Sequence, residues 1–232
     1  MNASQVLRSK FERVLALTEE EREAIAALPL HVVEVKADEI ILREGVPATR
    51  SSLLIEGLAC SSKGLGNGRR QILAFHIPFD MPDLVSFLLE VRDCDILALT
   101  DCSLAYVEHR DLLALCTAQP RLALDLWRTT LVDAAVHREW TLNVGQREGL
   151  SRLAHVFCEM MTRMELIGRA RDKSCALPLT QQELAEATGQ SSVHVNRTLQ
   201  ELRRRELLSF VRGQLTIHDW DGLVALAEFR TE

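Results

Sequence analysis

From Arg121 to Asn143 the chain runs without a glycine or proline, and within that stretch Leu124, Trp127, Leu131 and Ala134 recur at intervals of three and four. This spacing predicts one amphipathic helix of more than about 20 residues, roughly 30 Å long at the standard rise per residue. Alone, a helix of that length exposes much apolar surface. The stripe is therefore expected to pair with its twin in a second copy, as a dimerisation helix, while the opposite face packs on the chain's own preceding domain.

The periodicity differs on either side of that helix. Upstream, Ser4 to Leu28 reads as helical, with Thr18 as an N-cap before Glu19, Glu20 and Glu21, and Pro29 as its end. From His31 a strand pattern takes over, with Val33, Val35 and Ala37 alternating with Glu34, Lys36 and Asp38. Further short β-type runs lie at Ile40–Leu42, Ser52–Ile55, Gln71–Phe75, Ile96–Leu99 and Ser103–Val107. They are separated by Glu44-Gly45, Glu56-Gly57, the glycine-rich run Gly64 to Gly68, and Pro78 to Pro82. Short strands at such spacing predict a sandwich or barrel-like roll. The glycine-rich run reads as a hairpin loop. It lacks the Lys-Ser/Thr pair and following helix that a phosphate-binding P-loop requires.

Downstream, Gly145 and Gly149 flank a predicted hinge. A helix follows with Leu153, Val156, Phe157, Met160, Met161 and Met164 on one side, a core-filling pattern. Gly168 to Ser174 reads as an exposed loop. The expected fold class is α+β. Residues 1–119 would form N-terminal helices and an antiparallel β-roll with a sensor-like role, 120–145 a dimerisation helix, and 146–232 a winged helix-turn-helix domain for DNA.

Composition narrows the class. The chain has 232 residues, 47% hydrophobic and 26% charged, which supports a sizeable core. No run of about 18 apolar residues suggests a membrane span. Met1 to Phe11 carries Arg8 and Lys10 and does not read as a secretory signal, so a cytoplasmic protein is expected. The net charge of −6 is unusual for a nucleic-acid partner, although steering follows local charge. None of the six cysteines forms a C-x-x-C pair, so the sequence supports no zinc ribbon or iron–sulfur site. The histidines are scattered, and no nucleophile–base pair can be assembled from spacing, so no enzyme is expected. Asp80, Asp83, Asp93 and Asp95 cluster in sequence and read as turn-forming residues rather than as a cation site.

The segment from Leu177 to Phe210, LPLTQQELAEATGQSSVHVNRTLQELRRRELLSF, is the informative one. Thr180 and Glu183 make a capping box. Ala185, Gly189 and Val195 have the offsets of two helices crossing at a tight turn, with Val195 pointing between them beside Leu184 and Leu199. Ser191 caps a second helix whose exposed residues are Ser192, Val193, His194, Asn196 and Arg197. Arginine can donate twice to guanine, asparagine pairs with adenine, and valine suits a thymine methyl. With Thr180, Gln181 and Gln182 at the start of the first helix, these form the candidate DNA-binding set. Arg203, Arg204 and Arg205 suit either phosphates or the helix dipole. Phe210-Val211 and Leu215 to Ile217 flank Arg212-Gly213, a hairpin placed as a wing.

This order of roll, long helix, hinge and winged helix-turn-helix resembles the Crp/Fnr family of bacterial regulators across nearly the whole chain. The resemblance is strongest at LPLTQQELAEATGQSSVHVNRTLQELR, a recognition helix of the VHVNRTLQ subgroup, and good at LWRTTLVDAAVHREW. In the roll it rests on Glu44-Gly45, Gly57, Asp80 and Thr100 to Leu104. It implies a homodimer on an inverted-repeat promoter site, its recognition helices about 34 Å apart, and RNA polymerase as a further partner. It also places Arg197 on the family's base-contacting arginine, and Val193 where many members carry a glutamate. In the roll it implies an effector pocket at Phe75, Asp80, Leu84, Arg92 and Asp93. There Phe79 replaces a glycine, Leu84 a ribose-holding glutamate and Asp93 a serine, so cyclic AMP is not the expected ligand. Haem ligation by His76 or Cys94 and an iron–sulfur cluster lack support, and no cofactor is expected. An effector-sensing protein acting mainly through a protein partner is the alternative.

Overall fold

A computed structural model describes residues 2–89 and 91–230. The chain forms two compact units, Met1–Lys63 with Ala74–His137, and Gly64–Leu73 with Arg138–Glu232.

The first unit opens on α1 (Ala3–Glu12) and α2 (Glu19–Ala26), so the stretch read as helical from Ser4 to Leu28 divides at the N-cap expected at Thr18. The break has a local cause. Thr18 is extended, its hydroxyl accepts from the Glu21 amide at 3.2 Å, and the Glu21 carboxylate accepts from the Thr18 amide at 2.8 Å. This reciprocal box starts a new helix and cannot lie inside an old one. Short strands follow: β1 (His31–Val35), β2 (Ile40–Leu42), β3 (Arg50–Glu56), β4 (Ala59–Gly64), β5 (Arg70–His76), then, after the short α3 (Ser86–Leu89), β6 (Asp95–Ala98) and β7 (Cys102–Glu108). Strand β1 stops two residues before Ala37, whose amide instead donates to Asp101 at 3.0 Å while Asp38 turns at φ 66.

The strands make two antiparallel sheets, β1-β7-β3 and β2-β6-β4-β5. Leu54, Leu104 and Tyr106 of the first meet Ala59, Ile96 and Ala98 of the second in one buried cluster, so the sheets close face to face as a roll. A second cluster joins α1 and α2 to β3, β7, α4 (His109–Ala118) and the start of α5 (Pro120–Gly145), through Phe11, Ile25, Leu53, Val107, Leu112, Leu122 and Leu126. Helix α5 thus packs by Leu122 and Leu126. The predicted stripe of Leu124, Trp127, Leu131 and Ala134 is exposed on the chain.

In the second unit α6 (Gly149–Leu166) buries Leu153, Val156, Phe157, Met160, Met161 and Met164, the face read from the sequence. Gly168 to Ser174 is not an unstructured loop. Strands β8 (Ala170–Arg171) and β9 (Ser174–Ala176) turn at Asp172 and Lys173, both at positive φ (49° and 55°), the geometry of a two-residue hairpin without the usual glycine. Next come α7 (Gln181–Thr188), α8 (Ser192–Arg204), β10 (Leu208–Val211), β11 (Gln214–Ile217) and α9 (Trp220–Ala227). The wing is therefore part of a four-stranded sheet, β10-β11-β9-β8. Among the described residues no helix is long and apolar enough to cross a membrane.

Candidate nucleic-acid interface

Helix α7 begins at Thr180, whose hydroxyl accepts from the Glu183 amide at 3.1 Å while the Glu183 carboxylate accepts from the Thr180 amide at 2.6 Å. It ends at Gly189, left-handed at φ 65, which is the conformation a glycine adopts at least cost. The chain then turns straight into Ser191, whose hydroxyl caps α8 by accepting from the His194 amide at 3.2 Å. Leu184, Ala185 and Val195 are buried where the two helices cross, and Thr198 and Leu202 continue the buried side of α8. Leu199 is half-buried.

The other side of α8 carries the candidate readers. Val193 is 64% exposed, and His194 and Arg197 are also exposed. Asn196 donates to Gln181 Oε1 at 3.1 Å and accepts from Gln200 Nε2 at 3.0 Å, while Ser192 donates to Gln182 Oε1 at 2.7 Å. These bonds hold the polar side chains of both helices in one surface. Thr180, Gln181 and Gln182 thus border the same face as Ser191 to Arg197. Gln200 belongs to that face as well, and its position one turn beyond Asn196 was the available clue. At the far end Glu201 accepts from Arg204 at 2.7 Å and from Arg205 at 2.7 Å, which holds its carboxyl down at about 2. At the wing, β10 and β11 pair from Leu208↔Ile217 to Val211↔Gln214, with Arg212 and Gly213 at positive φ in the turn.

The proposed effector positions lie in the roll. Phe75 and Leu84 are core residues. Phe79 adopts a left-handed conformation (φ 77), with the Arg13 guanidinium 3.8 Å from the centre of its ring. Asp80 accepts from the Ile77 amide at 2.8 Å and serves a turn, whereas Asp83 accepts from the Ser52 amide at 2.7 Å and Asp95 from the Glu44 amide at 2.7 Å, so these two carboxylates tie together segments distant in sequence. Burial pushes Asp83 up to about 6. Arg92 is buried and donates to Ser61 Oγ at 3.2 Å, and the same hydroxyl lies 2.7 Å from His76 Nε2. Asp93, next in sequence, is exposed. Cys94 is buried beside Arg92, and burial raises its pKa.

A two-sheet roll, a long helix and a winged helix-turn-helix with a free polar face define a class of sequence-reading regulators. Residues 32–119 match the cyclic nucleotide-binding domain family, and residues 151–226 the Crp-like helix-turn-helix domain family. The chain is 26% identical over 206 residues to the nitrogen fixation regulation protein FixK of Azorhizobium caulinodans, covering 87% of this chain and 81% of that protein. The solved structure of FixK2 from Bradyrhizobium japonicum superposes with a TM-score of 0.79 at 26% identity, over 88% of this chain and all (100%) of that one. A CRP-family transcriptional regulator of Thermus thermophilus shares the fold, with a TM-score of 0.67 at 21% identity over 86% of this chain and 98% of its own. The chain belongs to the Crp/Fnr family and is a DNA-binding transcription regulator rather than an enzyme.

Proposed function

We propose that the protein acts as a homodimer that binds an inverted-repeat promoter site without cyclic AMP, in the bacterial cytoplasm, with RNA polymerase as its downstream partner. The observation that carries the reading is the exposed stripe of Leu124, Trp127, Leu131 and Ala134 on a helix whose opposite side is already packed. Pairing two such stripes buries apolar surface that one chain leaves in water, and twofold pairing presents two α8 helices to successive turns of the major groove.

Within each half-site Arg197 donates to guanine, and Val193 makes an apolar contact in place of a carboxylate acceptor. The preferred sequence therefore departs from one read by glutamate. Thr180, Gln181, Gln182, Ser191, Ser192, His194 and Asn196 complete the contact surface. Two features of the roll support action without cyclic AMP. Leu84 is apolar and buried, and Arg92 is already engaged with Ser61. The Azorhizobium caulinodans relative is a nitrogen fixation regulation protein, which supports a similar physiological setting.

Selection of genomic fragments by the purified protein, with no ligand added, tests this. Enrichment of one inverted repeat is expected. A folded, dimeric protein that enriches nothing would refute ligand-free action. Tight cyclic AMP binding by calorimetry would do the same for the ligand assignment. Binding that is indifferent to salt would favour a protein partner over DNA.

A further inference from the structure

Asn196 sits half-buried in the second turn of α8, bracketed by two glutamines. Its Nδ2 donates to Gln181 Oε1 at 3.1 Å, and its Oδ1 accepts from Gln200 Nε2 at 3.0 Å. Gln181 opens α7, and Gln200 lies one turn beyond Asn196 on α8, so the two contacts come from different helices. Among the described residues no other group bonds to the Asn196 amide. A further bond, from Ser192 Oγ to Gln182 Oε1 at 2.7 Å, ties the first turn of α8 to the same end of α7.

The capacity of the amide decides what Asn196 can still do. A primary amide carries two N–H donors and two carbonyl lone pairs. The glutamines take one of each, and one of each remains. A donor and an acceptor side by side are what the major-groove edge of adenine pairs with, at N7 and at the N6 amino group. Val193, three residues back on the helix, is 64% exposed and has no polar side-chain atom to compete for them. Orientation is the other requirement. The terminal torsion of a free asparagine is broad and roughly twofold, so its oxygen and nitrogen exchange places readily. A bidentate match needs one of the two arrangements, and fixing it before DNA arrives removes that ordering cost from binding.

We propose, resting on the DNA-binding reading above, that Gln181 and Gln200 are positioning residues. They hold the Asn196 carbonyl toward Gln200 and its amino group toward Gln181, and so commit Asn196 to one adenine in each half-site. Gln200 acts on sequence choice through Asn196.

The test uses the full chain with Asn196→Ala, Gln200→Lys, Gln200→Glu and the N196A/Q200E double variant. Each selects sites from a randomised duplex library, and gel shifts at one salt concentration compare the selected site with versions changed at single positions. Preference lost in N196A marks the base pair that Asn196 reads, and that pair should carry adenine. Q200K keeps a donor for the Asn196 carbonyl, whereas Q200E can only accept and turns the amide round. At the marked pair Q200K should keep the wild-type preference within about twofold and Q200E should lose about tenfold, with no further loss when Q200E is added to N196A. Comparing sites within one variant cancels the uniform effect of a changed charge on affinity. The guanine preference of Arg197 is the internal control and should persist in Q200E. Loss of both preferences in Q200E makes Gln200 a support of the helix and overturns the positioning role. No loss in N196A, a marked pair without adenine, or equal behaviour of Q200K and Q200E overturns it too, while the selected repeat still stands. A wild type that selects no sequence overturns the DNA-binding reading and the positioning role together.

Discussion

Replacing Trp127 with alanine tests the dimer reading where it is most exposed to failure. Trp127 is 61% exposed on the single chain. With about 250 Å² for a tryptophan, that is about 150 Å² per copy available to a partner, or about 4 kcal/mol at ~25 cal/mol per Å². Partial coverage and the retained β-carbon reduce this to about 2 kcal/mol per copy. Both copies change, so dimerisation should weaken by about 4 kcal/mol, roughly a thousandfold in the dissociation constant. Sedimentation equilibrium across a wide concentration range reads this directly, and urea unfolding of the variant confirms that the single chain stays intact. A shift below about tenfold would show that Trp127 is not in the dimer seam and that the stripe has another use.

Separate substitutions probe base reading, the turn between α7 and α8, and the buried carboxylate of the roll. Val193→Glu should turn the selected half-site toward cytosine at one position, and Arg197→Ala should cost about 1–3 kcal/mol of binding by gel shift and relax one position of the selected site. Gly189→Ala forces a side chain into a left-handed turn and should lower stability by about 1–2 kcal/mol in urea unfolding. Asp83, buried and pushed up to about 6 from 3.8, prefers to be protonated in the folded state. Its contribution is therefore full below about pH 4 and is lost as pH rises through about 6. Relative to Asp83→Asn, the wild type should lose about 3 kcal/mol between pH 3 and pH 8, at about 1.4 kcal/mol per pKa unit. A flat difference across that range would contradict the assignment.

The helix-turn-helix was legible because its determinants are local. A capping box, a glycine and a serine cap fix both helix ends within a dozen residues, whatever the rest of the chain does. The long helix was legible for the same reason. Strand β4 was not, because Ala59, Cys60, Ser61 and Ser62 are small or polar and are buried by their sheet rather than by their own character. The hairpin of β8 and β9 was hidden by a charged turn, Asp172-Lys173, in place of glycine. Short α3, and α4 and α9, carried too few turns for periodicity to speak.

Glu201 grips two of the three arginines at the end of α8. One carboxylate offsets one guanidinium charge, so the run Arg203 to Arg205 offers DNA less free charge than its letters suggest. A cation already neutralised inside the protein displaces no condensed ions when the complex forms, and each such displacement is worth about 0.9 in the logarithmic salt slope. With fewer ions released, occupancy depends more on base identity and less on ionic strength. A regulator so built releases about one ion fewer per half-site, and its salt slope is shallower by about 0.9 for each.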